Sequence, residues 1–427
     1  MARITVVSMA FWGDVMPFVP IANELAGRGH DVTFAVPEGF WPMLANEAFS
    51  VAPAGTQFSP RELDAHGDLL ERASSPLGTA RAARFWIGEF GVRPLRSIHA
   101  ALMDATTDAD LVLTHPTAAF ASRMVAEQRD IPWVTGHLFP MLIPTAEHLP
   151  AGWPLETLVR RPSKRHARLA WTAMERMSAR MMYDREINAQ RVALGLRPVR
   201  ANAMLGGLSP FLVLLLWSPV WAPPASDWPE HYSATGFTIW QGPTGQALPA
   251  TLSTYLDDGD PPVLVTLGTS AASNAGDLFD TIAEVLDRTG RRGVFLVGND
   301  DKVSARMAVR HDVWGFAPIT KVLPRCSAVV HAGGHGTTAA ALAAGVPSVV
   351  VPMLFDQQWH ARRAEEVGVG KYVRRGRAFA PRLERALGSI ADGHGARVAA
   401  SAIRSQIGAE DGPRNAADKI EALLRRE

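Results

Sequence analysis

The chain has 427 residues, more than one hydrophobic core usually holds, which favours two domains. A hydrophobic fraction of 47% with 20% charged residues excludes a disordered or fibrous class, and a net charge of +1 gives no global field that would attract nucleic acid. The single cysteine, Cys326, excludes an internal disulfide and suits a reducing compartment. The most apolar stretch, residues 211–217, is far too short to span a bilayer. We therefore expect a cytoplasmic protein that binds no nucleic acid and has no transmembrane segment.

The first forty residues alternate between strand and helix patterns. Residues 3–8 are a continuous, largely β-branched run typical of a buried parallel strand, and residues 17–28 carry apolar side chains on one helical face. Residues 31–36 read as the next strand, and such a unit implies a right-handed crossover in a doubly wound sheet. Further buried strands are predicted at 111–114, 133–134 and 211–216.

A long helical region is predicted at residues 160–191, and its start is rich in basic side chains. We interpret this cluster as a solvated helix face, with peripheral contact with anionic lipid or an acidic acceptor as the alternative. The basic residues are Arg160, Arg161, Lys164, Arg165 and Arg168.

The pattern of alternating strands and helices restarts after residue 250. Residues 219–250 are rich in Pro, Gly and Trp with little periodicity, which is typical of a linker. The sequence thus predicts an N-terminal Rossmann-like domain at 1–218, this linker, a C-terminal Rossmann-like domain at 251–405, and a final helix at 406–427 that packs back toward the N-terminal domain. The predicted fold class is α/β, with two doubly wound domains facing an interdomain cleft.

The most informative stretch is residues 331–357, HAGGHGTTAAALAAGVPSVVVPMLFDQ. A strand runs into Gly333, Gly334 and Gly336, and a helix is predicted to begin at Thr337. Glycines let the backbone approach a ligand closely, and the first amides of a helix attract negative charge. The stretch therefore predicts a diphosphate site that requires no metal, with a purely structural turn as the alternative.

Two further segments are predicted to lie near this turn. Asp356 and Gln357 follow the next strand, and an adjacent carboxylate and carboxamide can bind vicinal hydroxyls. Residues 267–270 (LGTS) follow the first strand of the same domain and form a second small-residue turn. A D-x-D pattern at 108–110 precedes its strand and is interpreted as loop solvation, so no metal site is predicted.

This combination resembles the UDP-glycosyltransferase superfamily, inverting enzymes of the GT-B architecture whose bacterial members act on antibiotics, lipids and other natural products. The resemblance covers nearly the whole chain and is strongest over 261–370, where FAP at 316–318 precedes the glycines, GVP and DQ. It implies transfer of a sugar from a UDP- or dTDP-sugar to a hydroxyl of a small acceptor. It also implies no cofactor beyond this co-substrate, and a monomer or homodimer is expected.

The resemblance places Phe316 beside the nucleobase, with the backbone of Ala317 at its edge, and assigns the donor sugar to Asp356 and Gln357. Residues near the phosphates are Thr269, Gly336, Thr337 and Thr338. The full donor-binding set predicted from the residues and the resemblance is Gly268, Thr269, Ser270, Phe316, Ala317, Gly333, Gly334, His335, Gly336, Thr337, Thr338, Asp356 and Gln357.

One departure from the family motif concerns the phosphates. The usual motif carries a histidine directly before the paired glycines, where this chain has Ala332. His331 is a strand neighbour that points the opposite way, whereas His335 is expected in the loop as a candidate diphosphate ligand. This departure leaves two alternatives: a catalytically impaired relative that binds nucleotide sugar or serves as partner of an active glycosyltransferase, and, less favoured, a sugar-nucleotide epimerase.

The catalytic base is expected on the loop after the first strand. The segment GDVMP at 13–17 resembles sterol glucosyltransferases and glycopeptide-antibiotic glycosyltransferases, which carry Asp where plant relatives carry His. Asp14 is therefore the candidate base, and capping of the helix near Pro17 is its structural alternative. His115, at the end of the 111–114 strand, is the second candidate catalytic residue, although a histidine there is more often structural.

A hydrophobic acceptor is predicted from the aromatic residues and methionine of the N-terminal domain, with plain core packing as the alternative. Candidate acceptor contacts are Trp12, Gly13 and Phe139. The other residues of this group are Trp41, Phe85, Trp86, Phe90 and Met141.

Overall fold

The computed structural model describes most of the chain in twelve segments. The described residues form two compact units, the first drawn from Met1–Phe58, Ala80–Thr238 and Glu410–Glu427 and the second from Ile239–Ala409. The described segments are residues 1–8, 11–55, 81, 84–151, 153, 162–199, 208–244, 246–268, 275, 277–298, 311–353 and 356–425.

The first unit is built on a seven-stranded parallel sheet with the order β3-β2-β1-β4-β5-β6-β7. The central strands are continuous apolar runs because helices cover both faces of a parallel sheet, and β4 is buried along its whole length. The strands are β1 Arg3–Val7, β2 Asp31–Val36, β3 Ser50–Pro53, β4 Leu111–Thr114, β5 Trp133–His137, β6 Leu212–Leu215 and β7 Tyr232–Ala234.

The helices of this unit follow the strands, and two of them begin with a side chain that accepts a backbone N–H. Ser163 caps the long helix α6 and Asp411 caps the last helix, α15. The helices are α1 Trp12–Val15, α2 Val19–Gly27, α3 Trp41–Leu44, α4 Leu95–Ala105, α5 Ala119–Arg129, α6 Lys164–Met181, α7 Asp184–Ala193 and α15 Gly412–Leu424, with short 3₁₀ turns at Met16–Phe18, Glu38–Phe40 and Pro140–Leu142 and a π turn at Gly88–Val92.

The second unit contains a six-stranded parallel sheet with the order β10-β9-β8-β11-β12-β13. Its strands are β8 Val263–Thr266, β9 Gly293–Leu296, β10 Asp312–Trp314, β11 Ala328–His331, β12 Ser348–Val350 and β13 Gly370–Tyr372. Its helices are α8 Ala250–Asp257, α9 Leu278–Arg288, α10 Ile319–Val322, α11 His335–Ala344, α12 Gln357–Glu366, α13 Phe379–Ala391 and α14 His394–Ile407, with a 3₁₀ turn at Leu323–Arg325.

Both sheets reverse their strand order once, next to their first strand. The reversal lies between β1 and β4 in the first unit and between β8 and β11 in the second. Ligands of doubly wound proteins bind at the carboxyl ends of strands at such a reversal. The two parallel α/β sheets confirm the predicted fold class, and no described helix is long and apolar enough to cross a membrane.

Three local predictions differ from the structure. Residues 219–250, predicted as a linker, include β7, a half-buried edge strand without an apolar run. The helix predicted at 17–28 is α2, Val19–Gly27, and Pro17 lies in the 3₁₀ turn Met16–Phe18 that precedes it. The helix predicted to begin at Thr337 begins two residues earlier, at His335, because Gly334 takes the extended N-cap conformation.

Candidate functional site

The glycine turn after β11 has a backbone that only glycine adopts easily. Gly333 has a φ of +94°, and a Cβ added there would lie 2.7 Å from Cγ1 of Val350 and 3.0 Å from the carbonyl oxygen of Gln357. A larger residue would be strained and would collide with β12 and with the segment that follows it. This position therefore requires glycine, and the turn packs directly against Gln357, in the second segment of the predicted donor site.

Helix α11 presents its first amides at this turn. Its N-cap is Gly334, and the first intrahelical bond runs from the amide of Thr338 to the carbonyl of Gly334. The amides of His335, Gly336 and Thr337 thus precede the intrahelical ladder. Among the residues that the structure describes, and apart from chain neighbours and the backbone of α11 itself, no heavy atom lies within 4 Å of a Cβ built at Gly334 or Gly336. An open helix N-terminus of this kind attracts a phosphate group.

The imidazoles around the turn occupy different positions. Nδ1 of His331 accepts the Gly333 amide at 3.1 Å, and burial, with a contribution from nearby His360, lowers the pKa of His331 to about 3. His331 is therefore neutral and holds the turn, while Ala332 lies in the hydrophobic core. His335, expected in a loop, instead opens α11 because the helix starts early, and its buried ring lies 6.0 Å from the ring of His360.

Asp356 and Gln357 lie at the start of α12, after β12. Oε1 of Gln357 accepts the Met353 amide at 2.8 Å, which ties this side chain to its own loop. Oδ2 of Asp356 lies 3.4 Å from Nε2 of His360, one turn further along the helix. The sequence analysis did not select His360, although its spacing of four residues from Asp356 places both on one helical face.

The remaining donor candidates are distributed along the carboxyl edge of the same sheet. Gly268, with a φ of +74°, follows β8, which pairs with β11. Phe316 follows β10 with 39% of its surface exposed, whereas the side chain of Ala317 is buried, so only its backbone is available. Thr269 and Ser270 lie outside the described residues. The hydroxyl of Thr338 is buried, and no hydrogen-bond partner for it occurs in the described part of the chain.

In the first unit, Asp14 and His115 come together where the strand order reverses. Asp14 lies within α1 after β1, His115 directly follows β4, and Nε2 of His115 is 3.6 Å from Oδ1 of Asp14. The helix-capping alternative for Asp14 is wrong, because the caps of the three successive turns are Phe11, Val15 and Phe18. This pairing joins residues that are distant in sequence, through the parallel alignment of β1 and β4.

The neighbours of His115 indicate which of its nitrogens carries the proton. Its Nδ1 lies 2.7 Å from Oγ1 of Thr117 and 3.3 Å from the Thr117 amide, which donates to it. We therefore assign the proton to Nε2, the nitrogen that faces Asp14. His115 is fully buried, whereas the side chain of Asp14 is 14% exposed, so only Asp14 is accessible to a substrate. Thr117, two residues after the histidine, was missed by the sequence analysis.

The candidate acceptor residues occupy different positions in this unit. Trp12 is half-buried against Phe40, with ring centroids 4.5 Å apart, and Gly13 is exposed. The half-buried ring of Phe139 lies 5.8 Å from that of His115. Trp12 and Gly13 directly precede Asp14 in the chain, and Phe139 contacts His115, the neighbour of Asp14.

Other aromatic residues of the predicted acceptor group belong to the core. Trp86 and Phe90 are buried and stack with ring centroids 4.8 Å apart, which agrees with the core-packing alternative for these two. Phe11, not selected from the sequence, packs on Trp86 at 5.2 Å. This stacked pair therefore supports the N-cap of α1, the short helix that contains Asp14.

The D-x-D pattern has a structural role. The carboxylate of Asp110 accepts the backbone amide of Arg3, and Asp108 pairs with the Arg3 side chain at 3.6 Å. Within the described segments, no group of three or more His, Cys, Asp or Glu side chains is arranged to hold a metal ion.

Comparisons with known proteins agree with this geometry. Residues 297–423 match the family model "Erythromycin biosynthesis protein CIII-like, C-terminal domain". The chain is 29% identical over 380 residues to O-mycaminosyltylonolide 6-deoxyallosyltransferase of Streptomyces fradiae, covering 86% of this chain and 84% of that protein.

Solved structures share the fold along the whole chain. The calicheamicin glycosyltransferase CalG4 superposes with a TM-score of 0.68 at 21% identity, covering 100% of this chain and 99% of its own. The glycosyltransferase VinC, solved in complex with dTDP, superposes with a TM-score of 0.69 at 18% identity and covers 100% of both chains. The chain is thus similar over most of its length to natural-product glycosyltransferases, and it is itself a glycosyltransferase of the GT-B fold.

Proposed function

We propose that this glycosyltransferase moves a sugar from a UDP- or dTDP-sugar to a hydroxyl of a small hydrophobic acceptor, with inversion at the anomeric carbon. The observation that carries the proposal is the open N-terminus of α11 at the strand-order reversal of the second sheet. Oriented backbone amides stabilise negative charge without reorganising, which is what a departing nucleoside diphosphate requires.

The donor would be held along the carboxyl edge of the second sheet. The amides of His335, Gly336 and Thr337 face the diphosphate, and the exposed ring of Phe316 offers a stacking surface for the base. Asp356 then accepts hydrogen bonds from the sugar hydroxyls while the neighbouring carboxamide of Gln357 donates. A family contact missing at Ala332 weakens donor binding by about 1.5–3 kcal/mol, the typical value of a charge-assisted hydrogen bond.

Asp14 is proposed as the base and His115 as its positioning partner. The acceptor oxygen attacks the anomeric carbon, its proton passes to the carboxylate of Asp14, and the bond to the diphosphate breaks, so the diphosphate leaves with the electron pair. A single displacement of this kind inverts the anomeric centre. Of the two residues, Asp14 is the one with exposed surface, and its carboxylate lies against buried His115, whose Nε2 is 3.6 Å from Oδ1.

Acceptor recognition is proposed for the N-terminal domain at 1–218 and donor binding for 251–405, with 219–250 as the linker and 406–427 as the terminal helix. Trp12, Gly13 and Phe139 are the proposed acceptor contacts, because they lie next to the Asp14–His115 pair. The lone, half-buried cysteine, Cys326, supports a cytoplasmic enzyme, and we propose a monomer or homodimer.

The experiment that tests this function combines calorimetry with a transfer screen. Titration of the full chain with UDP and dTDP, in EDTA and in Mg²⁺, should show binding of one nucleotide in both buffers. Incubation with UDP- and dTDP-sugars and a panel of hydrophobic alcohols should give a product heavier by one glycosyl unit, with the anomeric configuration opposite to that of the donor by NMR. Retention of configuration, or no nucleotide binding, would contradict the proposal.

A catalytically impaired relative, acting by binding nucleotide sugar or as partner of an active glycosyltransferase, is the second candidate, and Ala332 in place of the phosphate histidine favours it. The same experiments separate the two candidates. Nucleotide binding without transfer or donor hydrolysis, across the whole panel, would favour the impaired relative.

A further inference from the structure

His360 is a buried histidine of α12 that the sequence motif does not include. It follows Asp356 by one helical turn, and its Nε2 lies 3.4 Å from Oδ2 of that carboxylate. The side chain of His360 is 1% exposed and that of Asp356 is 15% exposed. The imidazole therefore contacts the carboxylate from the protein interior, while the carboxylate reaches the surface.

The two halves of the Asp356–Gln357 pair are held by different means. Gln357 is fixed by the Met353 amide, a backbone contact within its own loop. Asp356 is the N-cap residue of α12, yet within the described part of this helix its side chain accepts no capping hydrogen bond. The carboxylate of Asp356 lies against Nε2 of His360, so its orientation depends on that side chain.

His360 also contacts the first turn of the proposed diphosphate helix. Its ring centroid lies 6.0 Å from that of His335, the first residue of α11, and 5.2 Å from that of Trp359, both nearly edge to face. Edge-to-face packing restricts ring rotation in a close-packed interior. His360 is thus held between the segment that would bind phosphate and the carboxylate that would bind sugar.

We propose that His360 is a positioning residue that directs the carboxylate of Asp356 toward the donor sugar. This inference rests on the proposed donor site. The approach of Nε2 to Oδ2 at 3.4 Å lies on the interior side, and it leaves Oδ1 and the outward side of Oδ2 to accept sugar hydroxyls. Without the imidazole, the carboxylate loses its contact on the interior side. It then adopts additional orientations in which its oxygens do not accept hydrogen bonds from those hydroxyls.

The test compares ligands with and without the sugar on matched variants. His360→Leu removes the imidazole nitrogen that faces Asp356. His360→Gln instead places an amide N–H the same number of bonds from the backbone as Nε2. With UDP-glucose and dTDP-glucose as probes and UDP and dTDP as their sugar-free counterparts, His360→Leu should raise the Kd or KM of the nucleotide sugar about tenfold. Its Kd for the free diphosphate should stay within about twofold, and kcat within about threefold.

The Gln variant should restore most of the sugar-dependent affinity, within about threefold of the wild type. Asp356→Ala should show the same sugar-specific loss as His360→Leu, and the double variant should be no worse than Asp356→Ala alone. If His360→Leu does not fold, His360→Asn, whose amide is one bond shorter, replaces it in the comparison.

His311 provides the matched control. It is also buried in the second unit and pairs with Asp287 at 3.5 Å, but it precedes β10 and thus lies at the opposite, amino edge of the sheet. His311→Leu should leave the ratio of the two affinities unchanged. Equal loss for diphosphate and nucleotide sugar in His360→Leu, no loss of either, or no recovery with glutamine would overturn the inference. A wild type that binds neither nucleotide would instead refute the proposed function.

Discussion

Replacing Gly333 with alanine should destabilise the second unit, whereas the same change at Gly336 should impair ligand binding without affecting stability. Both glycines belong to one turn, but their surroundings differ. A methyl group at Gly333 meets Val350 and the carbonyl of Gln357 with the backbone at a φ of +94°. In the described part of the structure, a methyl group at Gly336 meets no atom within 4 Å.

The expected loss at Gly333 has two sources. A non-glycine residue in the left-handed region costs about 1–2 kcal/mol. Forcing a methyl group to 2.7 Å from a valine carbon costs a further ~1–3 kcal/mol in a packed core. At about 2–4 °C per kcal/mol for a unit of this size, Gly333→Ala should melt roughly 4–20 °C below the wild type.

The assay is a thermal scan of both variants, paired with calorimetric titration of UDP and dTDP. Gly336→Ala should melt within about 1 °C of the wild type yet bind the diphosphate at least about tenfold more weakly, because its methyl group would occupy the space in front of the helix amides. A Gly333→Ala variant with wild-type stability would refute the packing argument. Unchanged diphosphate binding by Gly336→Ala would refute the assignment of the phosphate to the start of α11.

Three further predictions concern the first unit. Asp14→Asn should lower kcat by about 10²–10⁴-fold while calorimetry shows unchanged diphosphate binding, and near-normal turnover would remove Asp14 from the mechanism. Burial raises the pKa of Glu410, an effect only partly opposed by the hydroxyl of Ser218, so the folded state binds this proton more tightly and loses stability as pH rises above the ordinary carboxyl range. Glu410→Gln should therefore raise the Tm near pH 7, and the gain should shrink toward pH 4; a pH-independent difference would contradict this. A hydrogen bond with His30, assisted by the guanidinium of Arg28, lowers the pKa of Glu421, so its contribution is present above the ordinary carboxyl range and lost in acid. Because the pair is near the surface, Glu421→Gln should lower the free energy of unfolding at pH 7 by at most about 1 kcal/mol. In acid, where the carboxyl is protonated, the substitution should have no effect. A Tm loss that persists at low pH would argue against the ion pair.

The parallel sheets could be predicted from sequence because their strands are buried on both faces. Runs such as Arg3–Val7 and Val263–Thr266 stand out from neighbouring helices by their continuous β-branched composition. Strand β7 has no such run, since an edge strand with half-buried residues needs no apolar stretch, and it was assigned to a linker for that reason. The early start of α11 was missed because glycine and histidine are weak helix formers, while the start is set by the N-cap conformation of Gly334.

The candidate site was predictable where it is continuous in sequence and not where it depends on tertiary contacts. The glycine turn could be recognised from a single segment, and the left-handed backbone of Gly333 gives the reason for its composition. The 3.6 Å approach of Asp14 to His115 depends on the register of β1 with β4, which no local pattern encodes. Thr117 was missed for a related reason. A threonine two residues after a histidine indicates no role until the orientation of the imidazole ring shows that Nδ1 faces its hydroxyl.

The protonation state of His331 affects how a diphosphate would be bound with Ala332 at the position where the motif of similar glycosyltransferases has a histidine. His331 stays neutral because its pKa is about 3, and its Nδ1 is used by the Gly333 amide. The Gly333 amide is thereby unavailable to a ligand, so in the proposed function the diphosphate is bound by the amides from His335 to Thr337. Those amides keep the same partial charge at any pH, unlike the histidine that Ala332 replaces. Diphosphate recognition in this chain is therefore expected to depend on backbone geometry more than on side-chain charge, and for that reason the glycines of the turn should tolerate substitution less well than the histidines beside it.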